Sequence, residues 1–224
     1  MTLNKWEELD KKYIWHPFTQ MKGWLEAPQL VIDHGEGVRL YDTEGREYLD
    51  AISSLWVNIH GHRRKEINDA IIAELNKVEH STLLGLINEP SAELAEKLVE
   101  VTPAGLNKVF YSDDGSTAVE AAIKIAFQYW NYAGHPEKKD FINLGDSYHG
   151  DTVGAVSVGN VEVFHKAYKP LLFGTHRVTC PSFYHSKLGL SSEKEFLAYL
   201  LTELEDYLQE HASHTAAMII EPLC

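Results

Sequence analysis

From about Leu106 to Glu221 short apolar runs alternate with stretches of helical period, and this order restricts the chain to few architectures. LNKVFYS (Leu106–Ser112) reads as a strand and Thr117–Trp130 as a helix. DFINLG reads as a strand and Asp151–Val158 as a short helix. HRVT is a further strand, Ser192–Gln209 a helix and AAMIIEP a buried strand. Such alternation predicts an α/β fold with a mostly parallel central sheet and helices packed on both faces. A parallel sheet needs cover on both faces and neighbours for its inner strands. The sequence stops at Met218-Ile219-Ile220-Glu221-Pro222-Leu223-Cys224, directly after an apolar strand, so the expected sheet is truncated before completion.

The first 60 residues read differently, as short strands and turns. LVID (Leu30–Asp33) and GVRLYD (Gly37–Asp42) precede Asp42-Thr43-Glu44-Gly45, which has the Asp-first, Gly-last chemistry of a type I turn and predicts a hairpin into REYLD. From Arg64 the period becomes helical: Ile67, Ala70, Ile71, Glu74, Leu75 and Val78, then Leu94, Leu98 and Val101 after Pro90-Ser91. No Gly/Ser linker, low-complexity tract or repeat marks a domain break.

Charge narrows the function classes. Twenty Lys+Arg against 33 Asp+Glu leave a formal net charge of −13, which disfavours general nucleic-acid binding. No run approaches the roughly 20 apolar residues of a membrane span. The opening MTLNKWEELDKKYIWHPF lacks an apolar signal-peptide core. Cys180 and Cys224 are too few for a disulfide scaffold. The expectation is a cytoplasmic protein.

Four stretches carry candidate chemistry. In Tyr111-Ser112-Asp113-Asp114-Gly115-Ser116-Thr117-Ala118-Val119-Glu120 a strand gives way to a small-residue turn and then a helix. The free amides and dipole of a helix start favour an anion. Gly115 would admit a phosphate close to the backbone, and the Ser116 hydroxyl would add a donor. Thr117 and Glu120 fit a capping box, so a well-capped helix that binds nothing accounts for the stretch equally well. The stretch is neither a P-loop nor a dinucleotide fingerprint. Ser147-Tyr148-His149-Gly150-Asp151-Thr152 follows the strand FINLG, at the strand end where α/β sheets gather ligands. There Tyr148 and His149 would stack on a flat ligand or simply occupy an exposed loop. In SSLWVNIHGH, Trp56 would wall a pocket or fill core, and core is the commoner fate. His60 and His62 have no third ligand at a metal-binding spacing. Glu221, before Pro222, ends an apolar strand and would face either a site or solvent.

Together these stretches resemble the class III (ω-type) aminotransferases, fold type I enzymes that use pyridoxal 5′-phosphate (PLP). The resemblance runs from about Trp15 to Glu221. It is carried by Ile14-Trp15-His16-Pro17-Phe18-Thr19-Gln20-Met21, SSLWVNIHGH, His80-Ser81-Thr82-Leu83-Leu84-Gly85, YSDDGSTAVEAAIKIAFQYW, Tyr148-His149-Gly150-Asp151-Thr152 and Glu221-Pro222. The opening motif and SS-x-W are most similar to members of biotin biosynthesis that aminate 8-amino-7-oxononanoate.

The resemblance implies a set of roles. Gly115 and Ser116 would bind the PLP phosphate, Tyr148 would lie against the pyridine ring with His149 beside it, and Glu221 would sit near the ring. Trp56, Phe18 and Tyr148 would contact substrate. It also implies a homodimer with sites at the subunit interface, to which HSTLLG is a candidate contributor, although a helix end and an ordinary loop explain that stretch too. Residues 1–60 would feed the small domain, and 61–224 would begin the large PLP-binding domain. Phe18 stands where adenosylmethionine-using members commonly carry Tyr, so both adenosylmethionine and lysine remain donors. The family's D-E-[VI]-x-x-G-F-G-R-x-G stretch and its Schiff-base lysine match nothing here; Lys124 lies in the phosphate-site helix. No catalytic residue is therefore assigned, and the chain alone is expected to be inactive. Another class III ω-aminotransferase, or a noncatalytic truncated module, is the alternative.

Overall fold

In the computed structural model, residues 4–159, 161–186 and 188–223 are described; Cys224 lies outside them. The chain divides into two compact units, Met1–Glu96 and Lys97–Cys224.

The reading of the first 60 residues as short strands and turns is corrected: the first unit opens with helices α1 (Lys5–Tyr13) and α2 (Met21–Glu26), capped by the side chains of Asn4 and Gln20, followed by strands β1 (Ile32–Glu36), β2 (Arg39–Asp42) and β3 (Glu47–Leu49). The strands form an antiparallel sheet in the order β1-β2-β3. The anticipated turn is present: the Gly45 amide donates to the Asp42 carbonyl at 3.0 Å, and Gly45 supplies the positive φ (+78°) that closes it. A four-residue turn, α3 (Ser53–Trp56), then leads to α4 (Lys65–Leu75) and α5 (Glu89–Val101), which runs across the division between units.

Asp42 organises the turn. Its carboxylate accepts from the Glu44 and Arg46 amides at 2.9 Å each, from Arg46 Nε at 2.6 Å and from Tyr48 Oη at 2.9 Å. Burial alone would raise its pKa, but the hydrogen bonds from Arg46, Tyr48 and Glu44 outweigh burial and hold it at about 2. An unfolded Asp titrates near ~3.9, so the unfolded chain takes up the proton first as pH falls. The turn's support is therefore complete above about pH 4 and is lost as pH drops through about 2. Amide shifts of Glu44 and Arg46 should titrate with a midpoint near that lower value. A midpoint near the unfolded value would show that the carboxylate is not held.

The second unit contains α6 (Gly115–Tyr132), β4 (Asp140–Leu144), α7 (Val153–Val158), α8 (Glu162–His165), β5 (His176–Val178), α9 (Glu193–His211) and β6 (Thr215–Ile219). Its sheet has the order β5-β4-β6 with both pairings parallel, as the alternating pattern requires. β4 lies in the middle and buries four of its five residues, Phe141 to Leu144. Ile142, Leu144 and Val178 form the core cluster, packed by Leu204, Tyr207 and Leu208 of α9 and by Met218 of β6. Trp130 Nε1 donates to the Ala216 carbonyl at 2.7 Å and fastens α6 to β6.

Two strand expectations are corrected. Residues 106–112 join neither sheet: the segment has no regular secondary structure and no hydrogen-bonded strand beside it among the described residues. Apolar content alone does not make a strand, because its amides need a neighbour's carbonyls. β6 is half-buried rather than buried, because among the described residues only one of its edges is paired.

Candidate functional site

The sheet sets where the candidate residues meet. Beyond Leu144 the chain turns through Gly145, Asp146 (φ +58°) and the fully buried Ser147, whose Oγ donates to the Leu144 carbonyl at 2.7 Å. This tight exit brings Tyr148-His149-Gly150 to the start of α6. Asp114, Gly115, Ser116, Val119, Tyr148, His149 and Gly150 line one open cavity of about 450 Å³. That is within the roughly 300–1,000 Å³ range of small-molecule sites.

The start of α6 differs from its sequence reading. Asp114, not Thr117, is the N-cap. Its carboxylate accepts from the Thr117 amide at 2.8 Å, while Thr117 Oγ1 accepts from the Asp114 amide at 3.0 Å. The expected Thr117–Glu120 box does not form, because Asp is an equally good cap and stands three residues earlier. Glu120 turns instead to α7, where its Oε1 accepts from the Gly154 amide at 2.7 Å. The Gly115 and Ser116 amides, at the first two helical positions, make no hydrogen bond among the described residues. Ser116 Oγ accepts from the Asp151 amide at 3.2 Å, which leaves the hydroxyl proton to donate into the cavity. Among the described residues nothing stands within 4 Å of where a Gly115 Cβ would lie. Two free amides, a hydroxyl donor and open space at a helix start are the donor set of a phosphate site.

The remaining wall suits a flat polar ring. The Tyr148 amide donates to Glu221 Oε2 at 2.8 Å, which ties the loop to the chain just after β6. Tyr148 Oη donates to Asp151 Oδ2 at 2.7 Å. That hydrogen bond, reinforced by burial, pushes the phenol pKa up to about 12 and keeps it protonated. Burial lowers the His149 pKa against the opposing pull of Glu221. His149 Nε2 is buried with no hydrogen-bond partner among the described residues. The orphaned nitrogen, the tyrosine ring and the phosphate donors fit PLP. No lysine is among the residues lining this cavity.

Trp56 and Phe18 belong to the first unit. Trp56 is not core: it is 74% exposed, at the end of a left-handed turn in which Ser53, Ser54, Leu55 and Trp56 all have φ between +48° and +71°. Each such residue costs roughly 1–2 kcal/mol. Asp50 holds the turn, accepting from the Ser54 amide and Ser54 Oγ at 2.8 Å each and pairing with His62 Nε2 at 2.8 Å. His62 is thus engaged with a carboxylate. Phe18 is 83% exposed with φ +48°. HSTLLG is a loop.

Sequence reading assigned no site role to Asp151, Glu120 or His165. Asp151 had a signal, its three-residue spacing from Tyr148. Glu120 was visible only as a cap, and His165 reaches the site by packing alone. Its ring stacks near Tyr148 with centroids 6.5 Å apart.

Residues 21–224 match the family model described as aminotransferase class-III. The adenosylmethionine-8-amino-7-oxononanoate aminotransferase of Geobacter sulfurreducens is 49% identical over 99% of this chain and 48% of the relative. That of Aquifex aeolicus is 51% identical over 97% of this chain and 48% of the relative. The crystal structure of the Methanocaldococcus jannaschii enzyme of the same name superposes with a TM-score of 0.83 at 46% identity, covering 95% of this chain and 45% of that one. An omega transaminase from Pseudomonas jessenii, in complex with PMP, gives 0.90 at 33% identity, covering 98% and 49%. The chain spans about half the length of the relatives it matches.

Proposed function

The chain belongs to the class III aminotransferases, and from that premise we propose that it supplies the phosphate- and ring-binding half of a PLP-dependent enzyme that transfers an amino group to 8-amino-7-oxononanoate. One observation carries the reading: the free amides of Gly115 and Ser116 open into the same cavity as the Tyr148 ring.

Each residue has a physical task. The Gly115 and Ser116 amides and the Ser116 hydroxyl hold the phosphate against the positive end of α6. Tyr148 would lie against one face of the ring, and its hydroxyl keeps its proton while donating a hydrogen bond to Asp151 Oδ2. His149, neutral in its buried setting, offers a ring nitrogen at the cavity wall. Glu221 fixes the loop through the Tyr148 amide and sets a carboxylate near the ring. PLP, when bound, is the electron sink for the carbanion left when a substrate amine loses its α-proton. Trp56 and Phe18 contact substrate. Phe18 has no hydroxyl to offer a polar donor, so adenosylmethionine and lysine are both donors to assay. The family resemblance further implies a cytoplasmic homodimer as the working enzyme; no described helix is long and apolar enough to cross a membrane.

The holoenzyme containing this chain is expected to show the visible absorbance of bound PLP and to form the diamine from 8-amino-7-oxononanoate. The likeness to an omega transaminase supports a second reading, amino transfer to another carbonyl compound. Turnover of generic ketones or aldehydes without turnover of 8-amino-7-oxononanoate would replace the first reading by the second.

A further inference from the structure

His165 is buried, with its side chain only 7% exposed, and it belongs to the four-residue helix α8 rather than to any motif. Its Nδ1 accepts from the Val161 amide at 3.3 Å. An accepting Nδ1 carries no proton, so in the neutral ring the proton sits on Nε2. Nε2 has no hydrogen-bond partner among the described residues and is fully shielded from water. A buried N–H without an acceptor is rare enough to call for a reason.

The nearest carboxylate supplies one. Nε2 faces Asp151 Oδ1 at 3.7 Å, while the other oxygen of the same carboxylate, Oδ2, accepts from Tyr148 Oη at 2.7 Å. The gap is too narrow for a bridging water, and a side-chain shift of about 1 Å turns it into an ordinary hydrogen bond. The Asp151 amide is meanwhile held by Ser116 Oγ. The imidazole plane lies 22° from that of Tyr148.

We propose that His165 is a positioning residue, donating from Nε2 to Asp151 Oδ1 so that the opposite carboxylate oxygen holds the Tyr148 hydroxyl and ring in place against the coenzyme. The inference rests on the PLP reading above. His165 touches neither substrate nor coenzyme and acts through Asp151.

Two variants separate the N–H from the bulk. His165→Phe keeps an aromatic ring beside Tyr148 but has no donor, whereas His165→Gln places an amide N–H near the position of Nε2. In the PLP-loaded holoenzyme His165→Phe should lower kcat about tenfold with KM changed less than twofold, and His165→Gln should recover kcat to within about threefold of wild type. A purely packing role predicts the reverse order of the two variants, and that order would overturn the proposal. A two-bond ¹H–¹⁵N spectrum of histidine-labelled protein gives a readout independent of turnover. The wild-type His165 ring should be protonated at Nε2 and bare at Nδ1; a proton on Nδ1 overturns the proposal even if neither variant folds. Should wild type show the expected tautomer yet bind no PLP, the functional reading fails while the His165–Asp151 contact stands.

Discussion

Gly150→Ala is expected to abolish useful coenzyme binding and to destabilise the second unit. Gly150 has φ +120°, which L side chains rarely adopt, and a Cβ there would stand 2.2 Å from Ser116 Oγ and 2.9 Å from Ser116 Cα. The second contact is with backbone in the first turn of α6, so no rotamer change relieves it. The φ alone costs about 1–3 kcal/mol. The steric conflict forces the Ser116 amide and hydroxyl away from the cavity. PLP affinity should fall by at least about 100-fold, about 2.7 kcal/mol in binding free energy. Titration of the coenzyme absorbance measures this, with thermal melting for stability. Gly115→Ala is the control for stability, since its Cβ meets nothing within 4 Å among the described residues, and its melting point should stay close to wild type. An affinity of Gly150→Ala within threefold of wild type would show that the phosphate does not depend on this approach of loop and helix.

Ile142→Ala should lower stability by about 2–5 kcal/mol, the range for removing a fully buried large aliphatic side chain. Ile142 is 1% exposed in the central strand, and three helix α9 residues and Met218 close over the cluster it shares with Leu144 and Val178. Little else in this sheet substitutes for it, so the cavity is expected to stay open. Leu201→Ala, on an exposed position of α9, should change stability by less than about 1 kcal/mol. Urea midpoints of the two variants test the difference, and equal midpoints would show that the β4 cluster is not the core of this unit. Because β4 delivers Tyr148 to the cavity, Ile142→Ala should also weaken PLP binding, which a surface substitution should not.

The local parts of the fold were legible because their causes are local. Sequence pattern placed α9 and α7, whose first turns the structure shows capped by Ser192 and Thr152, and the Asp42–Gly45 turn closed with the bond its residues favour. Motif order also led to the family. Misreadings arose where a partner distant in sequence decides. Residues 106–112 have strand composition but no strand beside them among the described residues. Glu120 has the spacing of a capping partner but answers the amide of Gly154, 34 residues away. Trp56 looks like core by type, yet Asp50 and His62 hold the left-handed turn that leaves it exposed.

Sequence therefore determined most helices and strands of the second unit, that its sheet is parallel, and which residues are candidates for anion- and ring-binding chemistry, since propensity, capping and side-chain type act within a few residues. Tertiary structure alone decided that β4 lies between β5 and β6, that Ser116 meets the loop at Gly150 and Asp151, that Glu221 anchors Tyr148, and that a histidine outside every motif faces the Asp151 carboxylate. These contacts join residues 14 to 73 positions apart, and such pairings follow from how strands order in a sheet, which no local pattern encodes.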